Sequence, residues 1–503
     1  MKLRIKNTLI ECLKFISLMF RVSPVGVRAR KRGVLTIQVL IFGSVSVILL
    51  TGFVLWMDIN LRAARRDYDE IRAFAIAEAG IEYYRWHLAH APNDFEDGTA
   101  TSGPYVHSYY DRNNNLIGNF TLDITPPVIG STVVTIKSTG SLVANPSIAK
   151  IIQVRLGIPS FAKYAAVLEA AVRFGAGTEV FGEIHSNSGI RFDGLAHNLI
   201  SSAIGAYDDP DHSGGNEYAV HTHIAPVDPL PTTTLPARTD IFEVGRLLSV
   251  PQVNFTGITQ DLSEMRATAS SSGFYRASST AFGYEVVFRP DDTFTLYKVN
   301  STTTPPANCT NLLGQSGWGT WSINSTTSLG AFPMPTSGII FLEDNVWVRG
   351  KIDTARVTVA AARFPDNPLT RASVTFQNPL TYTNYNGSDT IGIIAQNNIN
   401  IGMISSSSIR IDAALIAQNG RIGRYYYRPP GGGQNRCTPW HSRSDITTYG
   451  MLGSSQRYGF AYTDGTGYIT RSLIYDANLL YGPPPSFPLT ADAYTPISWD
   501  ELK

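Results

Sequence analysis

The chain has 503 residues, 43% hydrophobic and 16% charged, which is enough apolar material for two or more domains with cores of their own. Its 43 Gly and 29 Pro, with abundant Ser, Thr and Asn, favour strands and loops. The net charge of +1 is uneven: residues 1–33 hold nine Lys/Arg and one acid, Glu11, a net +8 that leaves −7 on the remainder, and −7 argues against wholesale nucleic-acid binding.

The first element is apolar. Val34 to Met57 contains no charged side chain. As a helix those residues are about 36 Å long, enough to cross a hydrocarbon core of about 30 Å. The basic cluster Arg30-Lys31-Arg32 and Gly33 stand directly before it. The excess of Lys and Arg puts residues 1–33 in the cytoplasm and everything after Met57 outside. An uncleaved signal anchor would carry the same charges and span, but it would not require Gly at the boundary or a helical pattern beyond the membrane. From Asp58 to about His90, Ile71, Phe74, Ala77, Ile81, Tyr84 and Leu88 recur at three- and four-residue steps. Pro92 and Asn93 end that pattern.

These residues resemble the type IV pilin-like proteins. A basic leader ends in Gly33, Val34 opens the mature chain, and Ala77-Glu78-Ala79-Gly80-Ile81-Glu82 is similar to a stretch of PilX-type minor pilins. The resemblance implies leader cleavage by a prepilin peptidase, a methylated amino terminus and assembly with other pilin subunits through the helix. It implies a single-pass membrane protein whose head reaches the cell surface. Most members carry Glu as the fifth mature residue, whereas this chain has Gln38. K-type minor pseudopilins also lack that Glu and sit at a filament tip, so the likeness is to a minor, tip-type subunit. The leader is long, and either Met19 is the true start or Leu9 to Phe20 forms an interfacial helix.

Next, alternating runs at Ile117–Ile124, Thr132–Lys137 and Ile148–Leu156 predict a small three- or four-stranded antiparallel sheet on the stalk, residues 91–160. From about Tyr164 a short phrase recurs: Asn, an alternating apolar pair, then Gly, as in Asn345-Val346-Trp347-Val348-Arg349-Gly350. Ile-Ala-Gln-Asn occurs at 394–397 and 416–419, a step suited to one coil of a parallel β-solenoid. Stacked Asn side chains can link coils, although an Asn- and Gly-rich antiparallel sandwich would contain the same letters. The expected fold is mainly β with one long N-terminal helix. A small α+β head (helix 34–90, sheet 91–160) precedes an interrupted solenoid. Coils are expected at 161–204 and 338–425, with an insertion at 205–337 and a loop-rich wrap at 426–503. The insertion should hold a helix from Asp261 to Ser271 and a hairpin over Gly283–Phe288 and Thr293–Val299.

Candidate chemistry is sparse. Cys309 and Cys437 lie beyond the membrane span, where a disulfide can persist, and no zinc-type Cys spacing exists. Asp208, Asp209, Asp211, His221 and His223, with His212, Asn216 and Glu217 among them, form a carboxylate- and His-rich loop able to hold Ca²⁺ ahead of zinc, although an exposed polar loop explains the same residues. Asp193, Glu343, Asp344, Asp353 and Asp412 are scattered, without the repeat-spaced pairs a solenoid glycosidase needs, so no enzyme is expected. Arg421, Arg424, Tyr425, Tyr426, Tyr427 and Arg428 make a basic-aromatic patch suited to a surface glycan, a protein or, against the net charge, DNA. The expected function is a minor pilin-like subunit whose solenoid head primes assembly or adheres to surfaces. A membrane-anchored adhesin outside any pilus is the alternative, and a polysaccharide-acting enzyme a third.

Overall fold

The computed structural model describes residues 34–128, 130–255, 257–489 and 493–502. Gly33 and the leader lie outside them, as does the expected interfacial helix at Leu9–Phe20. The chain divides into two units, Met1–Ala73 and Phe74–Lys503. Helix α1 runs Val34–His90. In the first unit its apolar side chains are exposed from Leu35 to Met57, and by length and composition the helix can cross a membrane. Gln38 is exposed there. Ile71, expected on the packed face, is 68% exposed.

In the second unit the end of α1 packs on an antiparallel sheet. Strands β1 (Tyr105–Tyr110), β2 (Leu116–Thr125), β3 (Val134–Leu142) and β4 (Ala149–Gly157) are neighbours in chain order. In β3 every second residue is buried, the two-residue period of a sheet with one face on a core. Ile76, Ala77, Ile81, Tyr84 and Leu88 meet Phe120, Leu122, Ile136, Ile152 and Val154 in one cluster. Gly80 permits this approach: a Cβ there would lie 2.4 Å from Ser138 Oγ and 2.9 Å from the Phe120 ring. The fifth strand comes from the far end of the chain. Thr495–Leu502 pairs antiparallel with β4, so residues expected to wrap the solenoid complete this sheet instead. There Trp499 sits 5.6 Å from the Phe74 ring.

The remainder is a parallel solenoid with three walls. On one wall the buried residues Ile340, Val359, Ile393, Leu415, Leu452, Ala166, Ile184 and Ile200 stand in register, one per layer. On a second, Leu380, Ile411, Thr448, Leu473 and Val180 do the same. The third stacks Val346, Val374, Ile399 and Ile422, and further along Val172, Ile190 and Val220. The two Ile-Ala-Gln-Asn copies are neighbours, Ile394 on Ile416 and Ala395 on Ala417. The Asn residues link coils by bonding to backbone: Asn398 Oδ1 accepts from Arg421 N at 2.9 Å and Asn419 Nδ2 donates to Gln396 O at 2.8 Å.

The order of layers differs from the order of the chain. Leu452, late in the sequence, is hydrogen-bonded beside Ala166, early in it, and Leu473 lies beside Val180. The chain therefore enters the stack in its middle and builds outwards to Arg246, the neighbour of Ile200. It then crosses to the opposite end, where Phe274 pairs with Ile340, and builds back to the entry point. Helix α2 (Gly257–Ser272) makes the crossing. Its 16 residues span about 24 Å. The seven strand spacings from Ile184 back to Phe274 are about 34 Å, so the helix accounts for most of that distance. Leu262, Met265 and Ala269 pack with Phe341, Ile394 and Ile416 on the outside of the first wall.

Two boundaries of the sequence reading are thereby corrected. Residues 205–337 are not simply inserted: Phe274–Arg276 and Gly283–Arg289 form an end layer, to which Thr293–Thr302 and Ile323–Pro333 add antiparallel strands. Coils also continue past 425, through Ser442–Ser454 and Gly467–Tyr475. Both lack the Asn–Gly phrase of Asn345–Gly350 and Asn398–Gly402.

Buried arginines tie the bends. Arg471 in the last coil donates to Gly175 O at 3.2 Å, to Ala176 O and to Thr178 Oγ1 at 3.0 Å in the first, and to its own Tyr468 O at 2.6 Å. Arg356 reaches Gly130 O, Gly387 O, Gly482 O and Pro483 O at 2.5–2.8 Å, joining solenoid, sheet and wrap. Burial depresses both guanidinium pKa values, and backbone carbonyls supply the acceptors that water would offer.

Candidate metal centre

The excursion that follows Ile200–Ser202 makes a short antiparallel pair, Ala206–Tyr207 with Glu217–Tyr218. It then returns as Val220–His221, parallel to Ile190–Phe192. Val220 enters the solenoid core, so His221 faces outwards, and the two-residue period puts His223 on the same side. The excursion folds over that face. Asp209, Glu217 and His221 become buried, and their ligand atoms and that of His223 lie within 4.8 Å of one another.

Glu217 is central. Its Oε1 is 2.6 Å from His223 Nε2 and 3.3 Å from His212 Nδ1, and its Oε2 is 3.1 Å from His221 Nε2. His221 Nε2 is also 3.6 Å from Asp209 Oδ2. His221 Nδ1 lies 2.9 Å from Tyr218 O, an acceptor only, so Nδ1 carries a proton and Nε2 is the nitrogen turned towards the carboxylates. Glu217 Oε2 and His221 Nε2 are 3.1 Å apart, and both atoms are buried without a hydrogen-bond partner.

Around this group the charges are paired. Arg191 and Arg173 stack in register with His221 on the same outer face and hold Asp193 at 2.8 and 3.3 Å. Asp193 Oδ1 accepts from His223 N at 2.9 Å, which fixes the end of the His-Thr-His segment. Burial raises the Asp209 pKa, but His221 at 3.6 Å, the Asp211 N–H and Arg191 outweigh it, and the net direction is down. Burial, then Asp209 and Glu217, push up the Tyr207 hydroxyl, which is also unpartnered.

Of the five metal candidates from sequence, three meet here: Asp209, His221 and His223. Asp211 does not join them, because it is paired with Arg457 and lies 4.0 Å from Arg173. Asp208 stands outside the cluster. Glu217, which lies in the same acid-and-His run, joins those three from four residues before His221.

The basic-aromatic patch requires a larger correction. Arg424, Tyr425, Tyr426 and Tyr427 are buried. Cys309 and Cys437 form a disulfide, and both pack with Tyr425, Tyr427 and Met403 in a small core. Arg424 spends its donors on Gly402 O, Met403 O, Trp440 O and Ser405 Oγ at 2.5–2.9 Å, 4.8 Å from the Tyr427 ring. Arg421 covers Tyr425 at 4.5 Å, and the Arg428 N–H bonds Thr310 O. Burial and Asp464 push the Tyr426 hydroxyl up to about 12. These faces are closed to a stacked base or sugar.

No family model matches the chain, and no curated protein does. Among solved structures it is similar to the competence-associated pilin ComZ from Thermus thermophilus, at 10% identity over 86% of this chain and 98% of that one. The TM-score is 0.28, a likeness too loose to argue from.

Proposed function

We propose that the chain is a pilin-like subunit, anchored and assembled through α1, that carries a solenoid head. One observation carries this reading. A single helix, Val34–His90, is apolar and exposed over its first part and buries one face of its last part against an antiparallel sheet. Apolar residues left exposed in this way need lipid or other helices to cover them. The finer proposal is a minor subunit near the tip. Val34 would bear the mature amino terminus, and Gln38 offers a neighbour's terminus no carboxylate. Other pilin helices, a prepilin peptidase and the membrane are the proposed partners. With the Arg/Tyr patch buried, DNA is dropped, and a protein or glycan ligand would have to use another face. A membrane-anchored adhesin outside a filament remains the second reading, because exposed helix alone does not choose between lipid and pilin partners.

No catalytic role is proposed. Among the scattered carboxylates, Asp193 is held by Arg191, Glu343 by Arg266, Asp344 by Arg363 and Asp412 by Arg410, and Asp353 accepts from Asn384 at 2.7 Å. Intact mass spectrometry of the membrane-extracted protein tests the reading. The expected mature chain begins at Val34, and Gly33→Leu should leave the leader attached. A wild-type mass that retains residues 1–33 would reject the pilin-like assignment and favour the anchored module. Immunogold labels spaced along filament shafts, rather than at ends, would reject the tip position.

A further inference from the structure

We propose that Asp209, Glu217, His221 and His223 bind one divalent cation of the zinc class, in a closed structural site that fastens the 206–218 excursion to the end of the solenoid. Two imidazoles and two carboxylates are a donor set for zinc and its neighbours, whereas Ca²⁺ takes six to eight oxygens. Tetrahedral zinc holds such donors about 3.3 Å apart. Three separations are already close to this, at 2.6, 3.1 and 3.6 Å, and all four donor atoms lie within 4.8 Å. Small side-chain movements complete the set.

The two orphaned atoms point independently to a missing positive centre. His221 Nε2 faces two carboxylates, Glu217 Oε2 at 3.1 Å and Asp209 Oδ2 at 3.6 Å, and both His221 Nε2 and Glu217 Oε2 are buried without a hydrogen-bond partner. Two buried carboxylates this close together are costly without compensation, and a dication placed among the four groups gives each donor a partner. It would also offset charge, since Asp209 and Glu217 supply two negative charges and Arg191 is shared between Asp193 at 2.8 Å and Asp209 at 3.5 Å. Tyr218 O fixes the His221 ring from behind, as a backbone carbonyl commonly does for a metal-bound imidazole. Three of the four residues are buried, which suits a structural rather than a catalytic site. The position has a use: Val220–His221 ends one wall among the described residues, and an end strand needs cover.

The test uses the full chain in detergent, stripped with chelator and then supplied with Zn²⁺, Co²⁺ or Ca²⁺ alone. One zinc per chain should survive gel filtration, and Co²⁺ should give the intense ligand-field absorption of a four-coordinate site without thiolate charge transfer. Glu217→Ala and His221→Ala should each weaken zinc by more than the about 10–100-fold that loss of an outer-shell partner costs. Asp211→Asn and Asp208→Asn should not weaken it. If His221→Ala does not fold, His223→Gln and the wild-type Co²⁺ spectrum decide. Zinc at background level, equal retention by the His221 and Glu217 variants, a six-coordinate Co²⁺ spectrum, or uptake of Ca²⁺ in place of zinc would each overturn the proposal.

Discussion

The sheet on α1 and the solenoid are both built from hydrogen-bonded strands, but they use the sequence differently. In the sheet, β1 to β4 are neighbours in space because they are neighbours in the chain, and only Thr495–Leu502 arrives from elsewhere. In the solenoid each layer must find its neighbour at a distance, and the middle of the stack is a seam between its first and last coils. Hairpin neighbours close short loops, whereas the seam closes a loop of hundreds of residues and must be held by specific contacts. The seam is therefore where the solenoid should be most sensitive to single changes.

The largest expected effect is at Arg471. Arg471→Leu removes the donors for Gly175 O and Ala176 O across the seam and for Tyr468 O and Ile469 O within the last coil. Unsatisfied buried carbonyls cost about 1–3 kcal/mol each, so a loss of about 3 kcal/mol or more is expected in urea unfolding. Amide exchange should quicken at 166–181 and 451–475 before it does in β1 to β4. Equal quickening in both regions would remove the distinction between them.

Next is the Cys309–Cys437 bond, which spans 128 residues and joins the small core around Tyr425 and Tyr427. Replacing both cysteines by Ser should cost about 2–4 kcal/mol, read from the thermal midpoint without and with reductant. Reductant should lower the wild-type midpoint and leave the variant unchanged.

A smaller effect probes the sheet. Gly80→Ala gains about 1 kcal/mol in helix propensity but forces a Cβ against Ser138 and Phe120, an overpacking worth about 1–3 kcal/mol. A net loss near 1 kcal/mol is expected, and stabilisation would mean that α1 stands farther from the sheet.

The smallest effects are two opposed histidine titrations. His185, buried between Ser201 and Asn187, has its pKa lowered from 6.5 by burial first, and then by Lys163. Its contribution to stability is present above pH 6.5 and is lost as pH falls towards the folded value. His197, held by Glu179 at 2.8 Å and Glu243 at 2.9 Å, has its pKa raised. Its contribution is full below pH 6.5 and is lost as pH rises through the folded value. Imidazole NMR should show midpoints on opposite sides of 6.5, and coincident midpoints would contradict both environments.

Legibility followed sequence distance. The Ile-Ala-Gln-Asn repeat predicted a coil step because Ile394 and Ile416 sit in successive layers. The hairpin at Gly283 and the amphipathic end of α1 were equally local, and the structure contains both. Nothing in the letters pairs Leu452 with Ala166, because that contact depends on where the whole chain enters the stack. The patch at Arg421–Arg428 misled for a different reason. Arginine over tyrosine has the same composition on a surface as in a small disulfide core, and only the cysteine loops packed with it distinguish the two. Asp209, Glu217, His221 and His223 were legible as a dense acid-and-His run, but which of its members converge depends on the Ala206–Tyr218 pairing.

The seam itself can be tested by cross-linking. Ser472 and Glu179 are register partners on its outer side, both partly accessible. In a Cys12→Ser background, Ser472→Cys with Glu179→Cys should form a disulfide on mild oxidation, and peptide mapping should find it beside the intact Cys309–Cys437 bond. If both new thiols stay free while Cys309–Cys437 remains formed, the last coil does not rest on the first, and the order of the stack proposed here is wrong.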